Sequence, residues 1–152
     1  MKKNLLMVYH SQSGSTAEMA NSVRSGCLKE EDINIRYLHA FKADLDDLLW
    51  ADGVIFGTPE NFGYMSGALK DFFDRIYYPC LEKTQGLPYA LYIRAGMDGT
   101  GTQRSVEAIV SGLRWRAVQE PLICRGEYKA SFKEQCRALG MAMAIGLDAG
   151  IF

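Results

Sequence analysis

The chain has 152 residues, room for one domain built on one core, and we expect a single domain over 1–152. Hydrophobic residues make up 48% and charged residues 23%, a globular balance, and the formal net charge of -1 leaves no field that would gather nucleic acid or anionic lipid. No run approaches the roughly 20 apolar residues that span a bilayer, and the apolar run after Met1-Lys2-Lys3 falls short of the about 7 residues of the smallest signal-peptide core, so a cytoplasmic location without membrane partners is expected.

Asn4 to Tyr9 is a continuous apolar run, the mark of a strand buried on both faces. After a loop of Ser and Gly, Ala20, Val23 and Cys27 recur at helical spacing with Glu18, Arg24 and Lys29 between them. Ile33, Ile35 and Tyr37 alternate with polar residues and read as a less covered strand, an edge. A polar turn over Asp44 to Leu49 leads to a third strand, Val54-Ile55-Phe56, which ends at Thr58-Pro59.

Met65, Leu69, Phe72, Phe73 and Ile76 make the apolar stripe of a second helix that Pro79 should close. Pro88 to Ile93 is the fourth strand, and Val106, Ile109, Val110 and Leu113 mark a helix after a glycine-rich loop. A fifth strand is expected over Ala117 to Cys124, confined to an edge by Pro121, which lacks a ladder donor. Phe132, Cys136, Leu139, Met143 and Leu147 give the last helix.

Strands alternating with helices and joined by right-handed crossovers give an α/β class, a three-layer, doubly wound, five-stranded parallel sheet. Edge character in strands two and five suits the order 2-1-3-4-5, in which ligands sit at the carboxyl ends of strands one and three. Three loops should meet there: 11–16, 58–65 and 94–101.

The first loop, Ser11-Gln12-Ser13-Gly14-Ser15-Thr16, carries hydroxyls and one glycine but no charge. Backbone N–H groups at a helix start, hydroxyl donors and the positive end of the helix dipole can hold a phosphate dianion without a cation; the plainer reading is a helix cap. Its position after the first buried strand favours phosphate. Gly-Lys-Ser/Thr, G-x-G-x-x-G and G-x-S-x-G are all absent, and His10-Ser11 and Gly57-Thr58 stand where a Mg²⁺ phosphoacceptor would need carboxylates. Cys27, Cys80, Cys124 and Cys136 form no C-x-x-C pair and have no His at ligand spacing, so reduced thiols and no metal are expected.

Ser11 to Thr16 resembles the flavodoxin phosphate pattern S/T-x-S/T-G-x-T, and the segment from Gly57 to Phe72 resembles the second flavin loop of NAD(P)H-dependent FMN and quinone reductases. The resemblance implies a flavodoxin-like fold and bound FMN. It implies that the loop Thr58-Pro59-Glu60-Asn61-Phe62-Gly63-Tyr64 meets the ribityl chain and ring edge, and that Ala95-Gly96-Met97-Asp98-Gly99 closes the other side of the ring. Phe62 and Tyr64 are candidates to stack on the flavin.

Related electron carriers are strongly acidic and carry aromatics in both loops, whereas this chain is nearly neutral and its third loop has none. Both departures favour an oxidoreductase that draws on NAD(P)H and reduces a quinone, free flavin or similar small acceptor, the flavin carrying the chemistry. The alternatives are an electron-transfer protein serving a redox partner protein and a module without cofactor. The resemblance also implies a homo-oligomer. Arg94 is a candidate to stabilise negative charge at the edge of reduced flavin, against a reading as an outward strand-end residue. Tyr64, Met97 and Asp98 are candidates to border the substrate. His10, His39, Trp50 and Trp115 read as structural, and Arg104, Arg114, Arg116 and Arg125 as a solvated face.

Overall fold

A computed structural model of the protein describes residues 1–11 and 14–152. Its elements run β1 (Lys3–Tyr9), α1 (Gly14–Cys27), β2 (Ile33–His39), α2 (Leu45–Trp50), β3 (Gly53–Pro59), α3 (Gly67–Cys80), β4 (Pro88–Ala95), α4 (Thr100–Gly112), β5 (Arg116–Ala117), β6 (Leu122–Arg125) and α5 (Ser131–Asp148). The sheet is parallel throughout, in the order β2-β1-β3-β4-β5, and β6 pairs with β4 beyond β5. This is the flavodoxin-like winding that the sequence implied.

Alternation along each central strand feeds two separate apolar layers. Leu6, Val8, Val54, Phe56, Leu91 and Ile93 pack with α2, α3 and α4, and the stacked rings of Phe56 and Trp115 sit in that layer. Leu5, Met7, Ile55, Ala90 and Tyr92 turn the other way onto α1 and α5, where Cys27 and Cys136 are buried among them. The continuous apolar runs of β1, β3 and β4 follow from burial on both faces. β2, with one neighbour, is covered less completely.

Three boundaries differ from expectation. Asp44 to Leu49 is no turn: Asp44 accepts from the Asp47 N–H and Asp47 in turn accepts from the Asp44 N–H, a capping box that starts α2. Met65 precedes α3, because Ser66 takes the cap position and accepts from the Leu69 N–H; Pro79 lies in the last turn, and the helix runs on to Cys80. A proline there removes a single donor, and its fixed φ already suits the helix. The fifth strand is split in two ahead of Pro121, which cannot donate to the ladder.

Helices α1 and α5 touch backbone to backbone. A Cβ on Gly26 would lie 2.1 Å from the Arg137 carbonyl oxygen, and one on Gly140 would lie 2.1 Å from that of Val23. Gly140→Ala should therefore cost about 1–3 kcal/mol in urea unfolding, the scale of an overpacked core. Stability equal to wild type would contradict this close approach.

Candidate functional site

At the end of β1 the His10 N–H donates to the Gly57 carbonyl at 3.1 Å, which ties β1 to β3 at the point where the chain leaves the sheet. Helix α1 begins directly afterwards, with Gly14, Ser15 and Thr16 in its first turn and no acidic residue there to offset the positive end of the dipole. Ser11 is half-buried, Gly14 is exposed with no described residue within 4 Å of where a Cβ would stand, and Thr16 is buried. Gln12 and Ser13, the other two expected phosphate ligands, lie outside the described residues.

The second loop is built from inside. The fully buried Thr58 hydroxyl donates to the Pro59 carbonyl at 2.8 Å and accepts from the Ser66 N–H at 3.0 Å; beside it the Met65 N–H donates to the Ser105 hydroxyl at 3.2 Å. Thr58 is thus a brace; Pro59 is buried with it, and the surface open to a ligand starts at the half-buried Glu60. Asn61 and Tyr64 exchange backbone bonds of 2.9 and 3.0 Å around Phe62 (φ 53) and Gly63 (φ 70). Two left-handed residues in a row make a type I′ turn. A phenylalanine in that region costs about 1–2 kcal/mol, and here its ring is wholly exposed at the apex. A strained backbone that holds an apolar ring in water gains nothing for the fold and points to a ligand.

The third loop is tied to the second. Glu60 accepts from the Gly99 N–H at 2.8 Å through its carboxylate, and the Glu60 N–H donates to the Arg94 carbonyl at 2.8 Å. Gly99 caps α4 at φ 79, and Gly101 lets that helix approach so closely that a Cβ would lie 2.3 Å from the Gly63 carbonyl oxygen. Gly96, Met97 and Asp98 stand exposed between these anchors. Asp98 is held by Arg125, whose guanidinium reaches its carbonyl and its carboxylate, and by the Thr100 hydroxyl. Arg125, read from sequence as one of several solvated arginines, is therefore a loop tie.

Arg94 does not stand as expected. Its side chain emerges from β4 on the α1/α5 side and donates to the carbonyls of Ala95 (2.8 Å), Cys124 (3.1 Å) and Gly126 (2.6 Å), between the rings of Tyr128 and Phe132. Alternation decides this, since Tyr92 two residues earlier faces the same layer. The guanidinium is committed to backbone and not offered to a flavin edge.

His10 lies edge-on to His39, with ring centroids 5.3 Å apart, and its Nδ1 is buried without a partner among the described residues. Burial, and secondarily His39, hold it below its ordinary value of 6.5. The unfolded chain then binds the proton more readily, so stability is complete above pH 6.5 and declines as the pH falls from there towards the folded value. His10→Gln should flatten the acid-side slope of the denaturation midpoint; an identical slope would dismiss His10 as its source. Thr58→Val should cost about 1–3 kcal/mol, because it strands the buried Ser66 N–H. Calorimetry of the cofactor-free protein measures this directly, and no loss would mean that water replaces the hydroxyl.

The bracing roles of Ser66, Ser105, Gly101 and Arg125 were not anticipated. A serine before the Ala68-Leu69 start of an apolar stripe is a legible cap signal, whereas Ser105 acts across 40 residues of sequence and leaves no local trace. The exposed aromatic apex, the soft Met97 and an uncharged helix start at one sheet edge fit a flat heterocycle that carries a phosphate.

Residues 13–126 match the family of NADPH-dependent FMN reductases, whose description names both the flavin and its donor. Among curated proteins, a flavodoxin of Aquifex aeolicus is 30% identical over 109 residues, covering 72% of this chain and 59% of its own. The quinone oxidoreductase QR2 of Triphysaria versicolor is 26% identical over 136 residues, covering 74% of this chain and 65% of its own. The chain thus spans about three fifths of the length of these relatives. Among solved structures, a flavodoxin from the domain Archaea superposes with a TM-score of 0.81 at 19% identity, covering 95% of this chain and 98% of that one, a likeness of fold. With three quarters of its length inside the match, the chain belongs to the NADPH-dependent FMN reductase family.

Proposed function

We propose that the chain binds FMN at the carboxyl edge of β1, β3 and β4 and reduces a quinone, flavin or similar small acceptor with NAD(P)H. The observation that carries this reading is Phe62, held exposed on a strained turn that Glu60 couples to the loop of Met97. Ser11, Gln12, Ser13, Gly14, Ser15 and Thr16 hold the phosphate by N–H and hydroxyl donors at the start of α1. Pro59 to Tyr64 borders the ribityl chain and covers one side of the ring by apolar contact with Phe62 and Tyr64. Ala95 to Gly99 borders the other side, where the lack of an aromatic leaves room for a substrate beside Met97 and Asp98. When bound, the flavin accepts and passes on the reducing equivalents; the protein orients it and needs no side-chain base.

The flavodoxin among its relatives favours a second reading, in which the same site serves a redox partner protein and turns over no small molecule. Adding NADPH to the FMN-loaded protein separates the two. Prompt bleaching with quinone turnover supports the reductase, whereas indifference to NADPH with ready reduction by a one-electron donor supports the carrier. Apoprotein that takes up no FMN at all would reject both.

The phosphate site has its own test. Gly14 is exposed, and a Cβ there would meet nothing within 4 Å among the described residues, so Gly14→Asp adds a carboxylate without a clash with them and at the favoured end of a helix. We expect stability to hold while FMN affinity falls about tenfold or more by charge repulsion, with riboflavin binding unchanged. Equal losses for both ligands would place the phosphate elsewhere.

A further inference from the structure

Resting on the FMN reading, we propose that Arg94 is a positioning residue for the cofactor, a clasp that fixes the third loop from behind the sheet. Its Nη1 grips the carbonyls of Ala95 and Cys124, and its Nη2 that of Gly126. One guanidinium thus joins the end of β4 to the end of β6 and to the turn that follows it. The Gly126 N–H closes the same ring by donating to the Ala95 carbonyl at 3.0 Å.

No carboxylate pairs with Arg94 among the described residues, and its Nε is buried without a partner. Arg75 makes an informative contrast: it too grips two carbonyls, of Ala40 and Ala43, but it carries Asp71 as counter-ion. A half-buried arginine given over entirely to carbonyls, with rings at 5.8 and 5.5 Å for its cation, marks a position where geometry outweighs charge neutrality.

What that geometry fixes is the loop meant for the flavin ring. Ala95 is held by Arg94, Asp98 by Arg125 and Gly99 by Glu60 at 2.8 Å, so Gly96 and Met97 project between anchors of which Arg94 is the one at the end of β4. Release at Ala95 lets the loop drift from the ring while the phosphate loop, which leaves β1 two strands away, keeps its place. A lysine cannot do the same, because one ammonium has no planar fork to span three carbonyls.

Arg94→Lys and Arg94→Ala separate this role from general support. Apoprotein of each is titrated with FMN, with riboflavin and with inorganic phosphate, and visible circular dichroism of bound FMN reports how the ring is held. We expect phosphate binding as in wild type, FMN affinity lowered about tenfold or more in both variants, riboflavin binding lost, and the visible dichroism collapsed. Should Arg94→Ala fail to fold, Gly126→Ala loosens the clasp from its other side, since a side chain at φ 77 strains that turn while open space surrounds it. FMN affinity and dichroism unchanged in Arg94→Lys would overturn the clasp and leave only a charge effect. Phosphate and FMN binding lost in equal proportion would overturn it in favour of bulk stability. A wild-type protein that takes up no FMN would reject the underlying reading instead.

Discussion

Between β1 and β3 the chain leaves the sheet in opposite directions, to α1 on one side and to α3 on the other, and every feature of the site depends on that divergence. The His10 N–H bond to Gly57 holds the two strands together at the point of parting. The positive end of the α1 dipole lies on the same edge, at the carboxyl ends of the two strands. The opposing apolar layers make the divergence obligatory. Leu5 and Met7 need α1 and α5 above them, just as Val54 and Phe56 need α3 and α4.

A gap of this kind binds nothing well unless its walls keep their shape, and the walls are loops. Here the bracing comes from small polar side chains placed behind the loops. Thr58 and Ser66 lock the second loop, Ser105 reaches it from α4, and Glu60 links it to Gly99 of the third. Such support is what allows Phe62 to remain in a left-handed conformation that an unsupported phenylalanine would leave. The strain sits at the solvent-facing tip, where a bound ring would offset it by covering the exposed face. Preorganisation of this sort lowers the ordering cost that binding would otherwise carry.

Much of this was legible in the sequence because burial on two faces writes itself into composition. The apolar runs of β1, β3 and β4 and the helical stripes of α1, α3 and α5 located the layers, and edge character in β2 and around Pro121 set the strand order. Less legible were boundaries that hang on one side chain, such as the reciprocal bonds of Asp44 and Asp47 that turn a polar stretch into α2. The site was legible as a set of loops and illegible as a set of bonds. Nothing near Arg94 in the chain says that its partners are the carbonyls of residues 124 and 126, since those contacts exist only after β6 has docked on β4. Arg125 was misread for the same reason, its partner lying 27 residues away.

The interruption between β5 and β6 has a use that the intact strand would not. After Val118, whose N–H still donates to the Tyr89 carbonyl, residues 119–121 leave the sheet and return to it, and β6 is then seated independently by its own pairing with β4 and by the carbonyls that Arg94 holds. Lengthening that excursion would add chain at a margin two strands from the divergence of β1 and β3, at an entropic cost that grows by only about 0.6 kcal/mol for each doubling of the loop. The fold therefore carries a natural port for grafting peptide tags or recognition segments, one whose cargo would hang at the sheet margin without being threaded between β1 and β3.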